Sequence, residues 1–252
     1  MHGIKKFLIS AAFAAAVCPA FSQSKTFYWD EPAGVSADNA YFPVVVSDKD
    51  SSYLFYETVE KSSDSTGKIW IYMQKKAAGS YDFSTPVKIT SSAFDYSGDI
   101  PDIYSAAVSS NGVIAVSSLA DDKTASVFVS SDGGATFSEH RLPEQKETVV
   151  GLRIFASSSG GFALFASLGS KQVYSSGTNG TYENYSFSLL FASSSDGVSW
   201  SNFKTWAPSA DFSNPFVPYL YPVTGGDLVV FQASLEYETP EGNTRYSNQL
   251  YA

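Results

Sequence analysis

Cysteine is almost missing from this chain. The single one, Cys18, lies near the N-terminus, so no intrachain disulfide can form and no cysteine set can hold zinc. Histidine is nearly as scarce. With only His2 and His140, there is no pair for a metal cluster and no basis for a Ser-His-Asp set. Cations number 16 against 25 acidic residues, a formal charge of −9. Phosphate binding needs a cationic face, so nucleic acid is excluded as a partner. No apolar run approaches the roughly 20 residues that a membrane-spanning helix needs, and no stretch repeats its apolar residues every 3.6 positions. Gly67-Lys68 lacks the glycine and the Ser/Thr of a phosphate loop, and Asp48-Lys49-Asp50 lacks the glycine and distal glutamate of a calcium loop. No cofactor and no metal is expected.

What is plentiful points to β-structure. Aromatics make up 15% of the chain, with 19 Phe and 16 Tyr, and rings pack well on a pleated surface. Charged residues make up only 16% against 44% hydrophobic, a balance that builds a core rather than a solvated tail. Short apolar runs such as Tyr53–Val59, Ile69–Met73, Val127–Val129 and Phe162–Ala166 alternate with Ser/Gly/Asp/Asn clusters, the pattern of strands and turns. Gly169–Asn184 is rich in Ser, Gly and Asn and reads as a long exposed hairpin loop.

The N-terminus carries a different signal. Lys5 and Lys6 precede an apolar stretch from Phe7 to Val17, and Ala20-Phe21-Ser22 places small residues at the −3 and −1 positions of a cleavage site. This is the layout of a secretory signal peptide. The expected division is a signal peptide over 1–22, a lead-in over 23–40 and the folded part over 41–252. The mature chain, beginning at Gln23, is expected to be exported. An alternative is lipidation at Cys18, although Ala15-Ala16-Val17 lacks the bulky aliphatic residue of a lipobox. Cleavage removes Lys5 and Lys6 and shifts the charge from −9 to −11.

Two turns repeat. Val127–Phe137 contains Ser130, Asp132, Gly134, Thr136 and Phe137, and Leu190–Trp200 contains Ser194, Asp196, Gly197, Ser199 and Trp200. The two leading serines stand 64 residues apart, the mark of a long internal repeat. The physical demand is legible: the carboxylate folds back on N–H groups of its own turn, glycine takes positive φ, and hydroxyls tie the flanks. These turns resemble the Asp-box, or BNR-repeat, motif Ser-x-Asp-x-Gly-x-Thr-Trp of the sialidase-like β-propellers. The second turn is a shortened form.

The resemblance implies an all-β propeller of four-stranded antiparallel blades, with each box joining the third and fourth strands and its aromatic tucked between sheets. On that template blade one runs from Phe42 to Thr90, blade two from about Ile103 to Pro143, blade three from about Leu152 to Pro208, and blade four starts near Phe216. About three and a half blades are visible, an incomplete ring expected to self-associate. The box residues are then structural staples, not catalytic acids. Sialidases of this resemblance use three substrate-binding arginines, a Tyr–Glu nucleophile pair and an aspartic acid, with a Phe/Tyr-Arg-Ile-Pro signature. Here Tyr41-Phe42-Pro43 carries no arginine, and the arginines are Arg141, Arg153 and Arg245 alone.

In this register the loops that lead into the innermost strands should form the ligand face. One of them gathers Asp95, Asp99 and Asp102 beside Tyr96 and Tyr104, and Arg153 enters blade three facing the axis. Carboxylates beside aromatics suit sugar binding or acid/base work; the same residues also read as a solvated acidic turn. The leading expectation is an exported propeller that binds a glycan or protein ligand without catalysis. Two alternatives stand beside it, the N-terminal part of a sialidase-like glycoside hydrolase and an assembly platform in the cell envelope.

Overall fold

The computed structural model describes residues 39–99, 101–119, 124–145, 147–176 and 180–206, together with 212–213, 219–223, 226–238, 240 and 244–251 of the last sheet. The segment 1–22, expected to be a signal peptide, and all but the end of the expected lead-in lie outside the described residues. Among those described there is no helix.

The fold is all-β, a propeller of antiparallel sheets that follow one another along the chain. The first sheet takes β1 (Ala40–Ser47), β2 (Ser51–Lys61), β3 (Thr66–Ala77) and β4 (Val87–Lys88). The second takes β5's successors: β5 itself (Phe94–Ser97) still pairs with β3, and β6 (Tyr104–Val108), β7 (Ile114–Leu119), β8 (Ala125–Ser130) and β9 (Ser138–Arg141) form the next blade. The third has β10 (Thr148–Ala156), β11 (Phe162–Ser176), β12 (Gly180–Ser194) and β13 (Lys204–Thr205). In the fourth, β14 (Phe212–Ser213) and β15 (Tyr219–Val223) both pair with β16 (Gly226–Glu238), which pairs on with β17 (Thr244–Tyr251). Sheets meet in chain order through their innermost strands, β1 with β6, β6 with β10 and β10 with β15, and the arc is open rather than closed.

Two local expectations are corrected. Residues 94–97 are a fifth strand on the first sheet and not loop, because β3 outruns β4 and leaves its upper half to be paired, Lys68 opposite Asp95. Residues 169–176 and 180–184 are also strand and not loop. They continue the β11–β12 ladder, with Gly169 opposite Phe187 and Ser176 opposite Gly180. Ser, Gly and Asn are poor strand formers, but a ladder already in register supplies each added residue with its backbone partners.

Period-2 alternation decides what each blade faces. The second sheet is buried on both sides. Ile114, Val116 and Phe128 join the core shared with the first sheet, while Ala115, Val127 and Val129 join the core shared with the third. Hence β6, β7 and β8 read as nearly continuous apolar runs. A third layer, including Phe165, Leu189 and Leu220, lies between the third and fourth sheets.

The two repeated turns anchor these layers. Ser130 is 1% exposed; its hydroxyl donates to Asp132 (2.7 Å) and accepts from the Gly134 N–H (2.9 Å). Asp132 accepts in addition from the Thr136 N–H and hydroxyl, and these bonds, with that of Ser130, hold its carboxyl far below the usual range. In the second turn the Ser194 hydroxyl donates to Asp196 and accepts from Gly197 N–H, and Asp196 accepts from the Val198 and Ser199 N–H groups. The buried polar atom of each turn is thus the serine hydroxyl, and the carboxylate stays in solvent. Phe137 packs on the core between the first and second sheets and Trp200 on that between the second and third. Trp200 also donates from Nε1 to the Gly197 carbonyl at 2.8 Å. Trp200→Ala should therefore cost about 2–3 kcal/mol, less than a fully buried ring because one side is open. Urea unfolding checks this, and an unchanged midpoint would mean that the ring does not hold the two sheets together.

Candidate functional site at the head of the inner strands

The innermost strands surround a shallow apolar hollow of about 280 Å3, lined from the four sheets by Val46, Ala106, Ile154 and Leu220 among others. Asp102, just ahead of β6, and Arg153, past the middle of β10, put charged side chains beside the first residues of β6. Arg153 donates from Nη2 to Asp102 at 3.0 Å, and from Nη1 to the Leu152 carbonyl at 3.1 Å. Each side chain of the ion pair is 34% exposed. The pair ties the lead-in of the second sheet to the inner strand of the third. Just below it, the Ser105 hydroxyl accepts from the Ile154 N–H and stitches β6 to β10.

Tyr104 is buried and donates to the Phe42 carbonyl at 2.6 Å. That carbonyl is aimed by an irregularity in β1: the register with β2 shifts between Tyr41 and Val44, and Phe42 adopts a φ of 49°. A non-glycine residue in the left-handed region costs about 1–2 kcal/mol. Burial, then the neighbouring Glu57 and Asp102, push the Tyr104 phenol well above its ordinary value, so it keeps the proton that it donates to the Phe42 carbonyl.

Glu57, in the middle of β2, is fully buried. Its Oε1 accepts from the Ile103 N–H at 2.9 Å, linking the first sheet to the lead-in of the second. Its Oε2 has no hydrogen-bond partner. Burial pushes the carboxyl up to about 8, the charge of Asp102 adds to the rise and the Ile103 N–H opposes it. Glu57 is therefore a neutral acid at pH 7, beside the exposed Asp102. That acid is sealed from solvent.

Of the five residues expected from sequence, Asp102, Tyr104 and Arg153 share one neighbourhood. Asp95 is exposed on β5, at the outer edge of the first sheet, and Asp99 is exposed on the bend that follows. Among the described residues no hydrogen bond or ion pair joins either of them to the Asp102–Arg153 pair. Sequence reasoning missed Glu57 and Phe42. An acid in a run such as Tyr53–Val59 reads as a solvent-facing strand position, and nothing local marks a bulge except Pro43 after Phe42.

A larger cleft, about 780 Å3, lies elsewhere, between the third and fourth sheets. Phe165, Phe191 and Trp206 floor it, with ring centroids 5.1 and 5.8 Å from Phe165, and Ser193 and Asp227 stand on its rim. At the first two interfaces the equivalent space is taken by a repeated turn. Gly134 lies on Met73 of the first sheet, and Gly197 on Val129 and Ala115 of the second. The third interface shows no such turn among the described residues.

No protein family matches the chain, and no curated protein sequence does. Solved structures with a similar course of the backbone include an alpha-L-arabinanase of Cellvibrio cellulosa, 13% identical with a TM-score of 0.43, covering 82% of this chain and 77% of that one. Another is the GH43 protein BlXynB of Bacillus licheniformis, 14% identical with a TM-score of 0.43, over 82% of this chain and 43% of that one. A third is MPT-4, a mannose phosphorylase from Leishmania mexicana, 11% identical with a TM-score of 0.38, over 96% and 72%.

Proposed function

We propose that this chain is an exported, Asp-box type β-propeller that binds a glycan at the head of its inner strands without cleaving it. The observation that carries this reading is the Asp102–Arg153 pair. It offers a forked cation and a carboxylate, both one-third exposed, where the second and third sheets converge. A guanidinium and a carboxylate side by side supply the donors and acceptors that sugar hydroxyls take. The two other ionisable groups at hand are already committed, Tyr104 to the Phe42 carbonyl and Glu57 to the Ile103 N–H. The Ser-Asp-Gly turns support the Asp-box assignment through their hydroxyl and carboxylate bonding.

Arg153→Ala and Asp102→Ala should each weaken glycan binding tenfold or more while changing stability by less than about 1 kcal/mol, the usual worth of a partly exposed pair. Calorimetric titration of both variants against a panel of oligosaccharides checks this; full affinity in both would exclude the mouth as the binding site. Export is tested separately. Expressed from its own start in a bacterial host, the chain should be recovered outside the cytoplasm with Gln23 as its N-terminus. Intact Met1–Ser22 on the recovered protein would contradict it.

A further inference from the structure

We propose that Glu57 is a positioning residue for the Asp102–Arg153 pair: its carboxyl clamps the lead-in of the second sheet, and loss of its proton opens the clamp, so that ligand binding weakens as the pH rises. The effect on binding rests on the reading of that pair as the ligand site; the clamp does not. The opening is confined to one segment, which sets it apart from a loss of stability in the whole protein.

Three consecutive residues are tied to three different strands. Asp102 accepts from Arg153 of β10 at 3.0 Å. The Ile103 N–H donates to Glu57 of β2 at 2.9 Å. Tyr104 donates to the Phe42 carbonyl of β1 at 2.6 Å. Glu57 holds the middle tie, so it sets where the backbone of Asp102 stands and what Arg153 meets. Pro101–Ile103 belong to no strand, and Pro101 has no N–H to give. On the other side of the clamp, β2 is joined to β3 by eleven register pairs, from Ser51 opposite Ala77 to Lys61 opposite Gly67. The lead-in is therefore the side that can move.

The surroundings of Glu57 suit its protonated form. Phe55 and Val59 flank it along β2, and Ile71 stands opposite on β3, all three buried and apolar. Tyr41 is its partner on β1. From the second sheet come Tyr104 and Asp102, and Asp102 acts on the carboxyl with a charge of the same sign. Oε1 has the Ile103 N–H, and Oε2 has no partner. Burial and the Asp102 charge keep the proton in place up to about pH 8. Once the proton leaves, Oε2 carries charge that no protein group bonds. Water can bond it, and water enters when the segment that covers Glu57 lifts. Repulsion by Asp102 pushes the same way. A glutamine here would hold the Ile103 N–H equally well and would not respond to pH.

Amide hydrogen exchange of the full chain at pH 6 and 8.5, corrected for the intrinsic rate at each pH, reads the clamp directly. In the native chain, protection over residues 102–106 should fall about tenfold or more relative to β7. In Glu57→Gln the ratio between the two segments should stay constant. Calorimetry with maltohexaose, xylohexaose and hexagalacturonate reads the consequence. A probe that binds at pH 6 should bind about tenfold or more weakly at pH 8.5 in the native chain, and within about twofold of its pH 6 affinity in Glu57→Gln. Equal loss of protection over 102–106 and β7 in the native chain, a comparison that needs no variant, would make the effect one of global stability and overturn the proposal. An affinity that falls as steeply in Glu57→Gln would overturn it too. If no probe binds at pH 6 while 102–106 still opens with pH, the clamp stands and the glycan reading fails. If a probe binds equally at both pH values, the clamp fails and the glycan reading stands.

Discussion

Raising the pH from 5 to 8.5 should destabilise this protein by several kcal/mol, and Glu57→Gln should remove most of that loss. The folded protein holds the Glu57 carboxyl at about 8 against an ordinary value of 4.5. Between those values the folded state keeps a proton that the unfolded chain has released. Stability from this group is therefore fully present below about 4.5 and is lost as the pH climbs through 8, at up to about 1.4 kcal/mol for each pH unit. The cause is the position: Glu57 is fully buried, accepts one N–H from Ile103 and leaves Oε2 without a partner. Ionisation there places a charge in the interface between the first two sheets, next to Asp102. Glutamine keeps the acceptor for Ile103 and cannot ionise. Urea unfolding at pH 5, 6.5 and 8.5 should give a falling series for the native chain and a nearly flat one for Glu57→Gln. Parallel series would mean that the carboxyl is not held neutral. Glu57→Ala should be destabilising by about 2–4 kcal/mol even at pH 5, because it leaves both a cavity and an unpaired N–H.

Gly161→Ala should lower stability by about 3 kcal/mol. Gly161 ends the hairpin between β10 and β11, where the Ser157 N–H bonds its carbonyl at 2.9 Å. Its φ is not in the left-handed region, so conformation is not what demands glycine. Space is. A Cβ there would collide with the Ser194 carbonyl oxygen and come within 2.9 Å of the Ser195 Cα, both main-chain atoms. Backbone cannot swing aside as a side chain can, and the Ser194 turn would have to lift from the hairpin. That lift also strains the Ser194–Asp196 and Ser194–Gly197 bonds. Gly79→Ala is the comparison. Gly79 has a φ of 77° with open space around it, so alanine meets conformational strain alone, about 1 kcal/mol. Thermal unfolding should rank the losses Gly161 above Gly79; the reverse order would place the constraint in the backbone angle rather than in the packing.

These two positions also show where the sequence was and was not informative. The blades were legible because each strand run is short and bounded by turn residues, and because Ser130–Phe137 and Ser194–Trp200 mark the same corner twice. The sheets fall close to the expected spans for that reason. The ribbon over 169–176 and 180–184 was not legible, since its residues prefer turns and its pairing comes from a ladder begun further down β11 and β12. Glu57 was hidden by geometry. A strand buried on both faces loses the alternation that would have exposed an acid as out of place. The Asp102–Arg153 pair joins residues 51 positions apart, and no local pattern announces such a meeting. Asp95 and Asp99, close to Asp102 in sequence, are led away from it by β5.

The central claim is that the chain binds a glycan and leaves it whole. Titrating the native protein with oligosaccharides in a calorimeter, with reducing ends counted in the same samples, tests it most directly. The account predicts saturable heats that return to baseline and a constant number of reducing ends. Reducing ends that rise with time, and cease to rise in Asp102→Ala or Glu57→Gln, would contradict it.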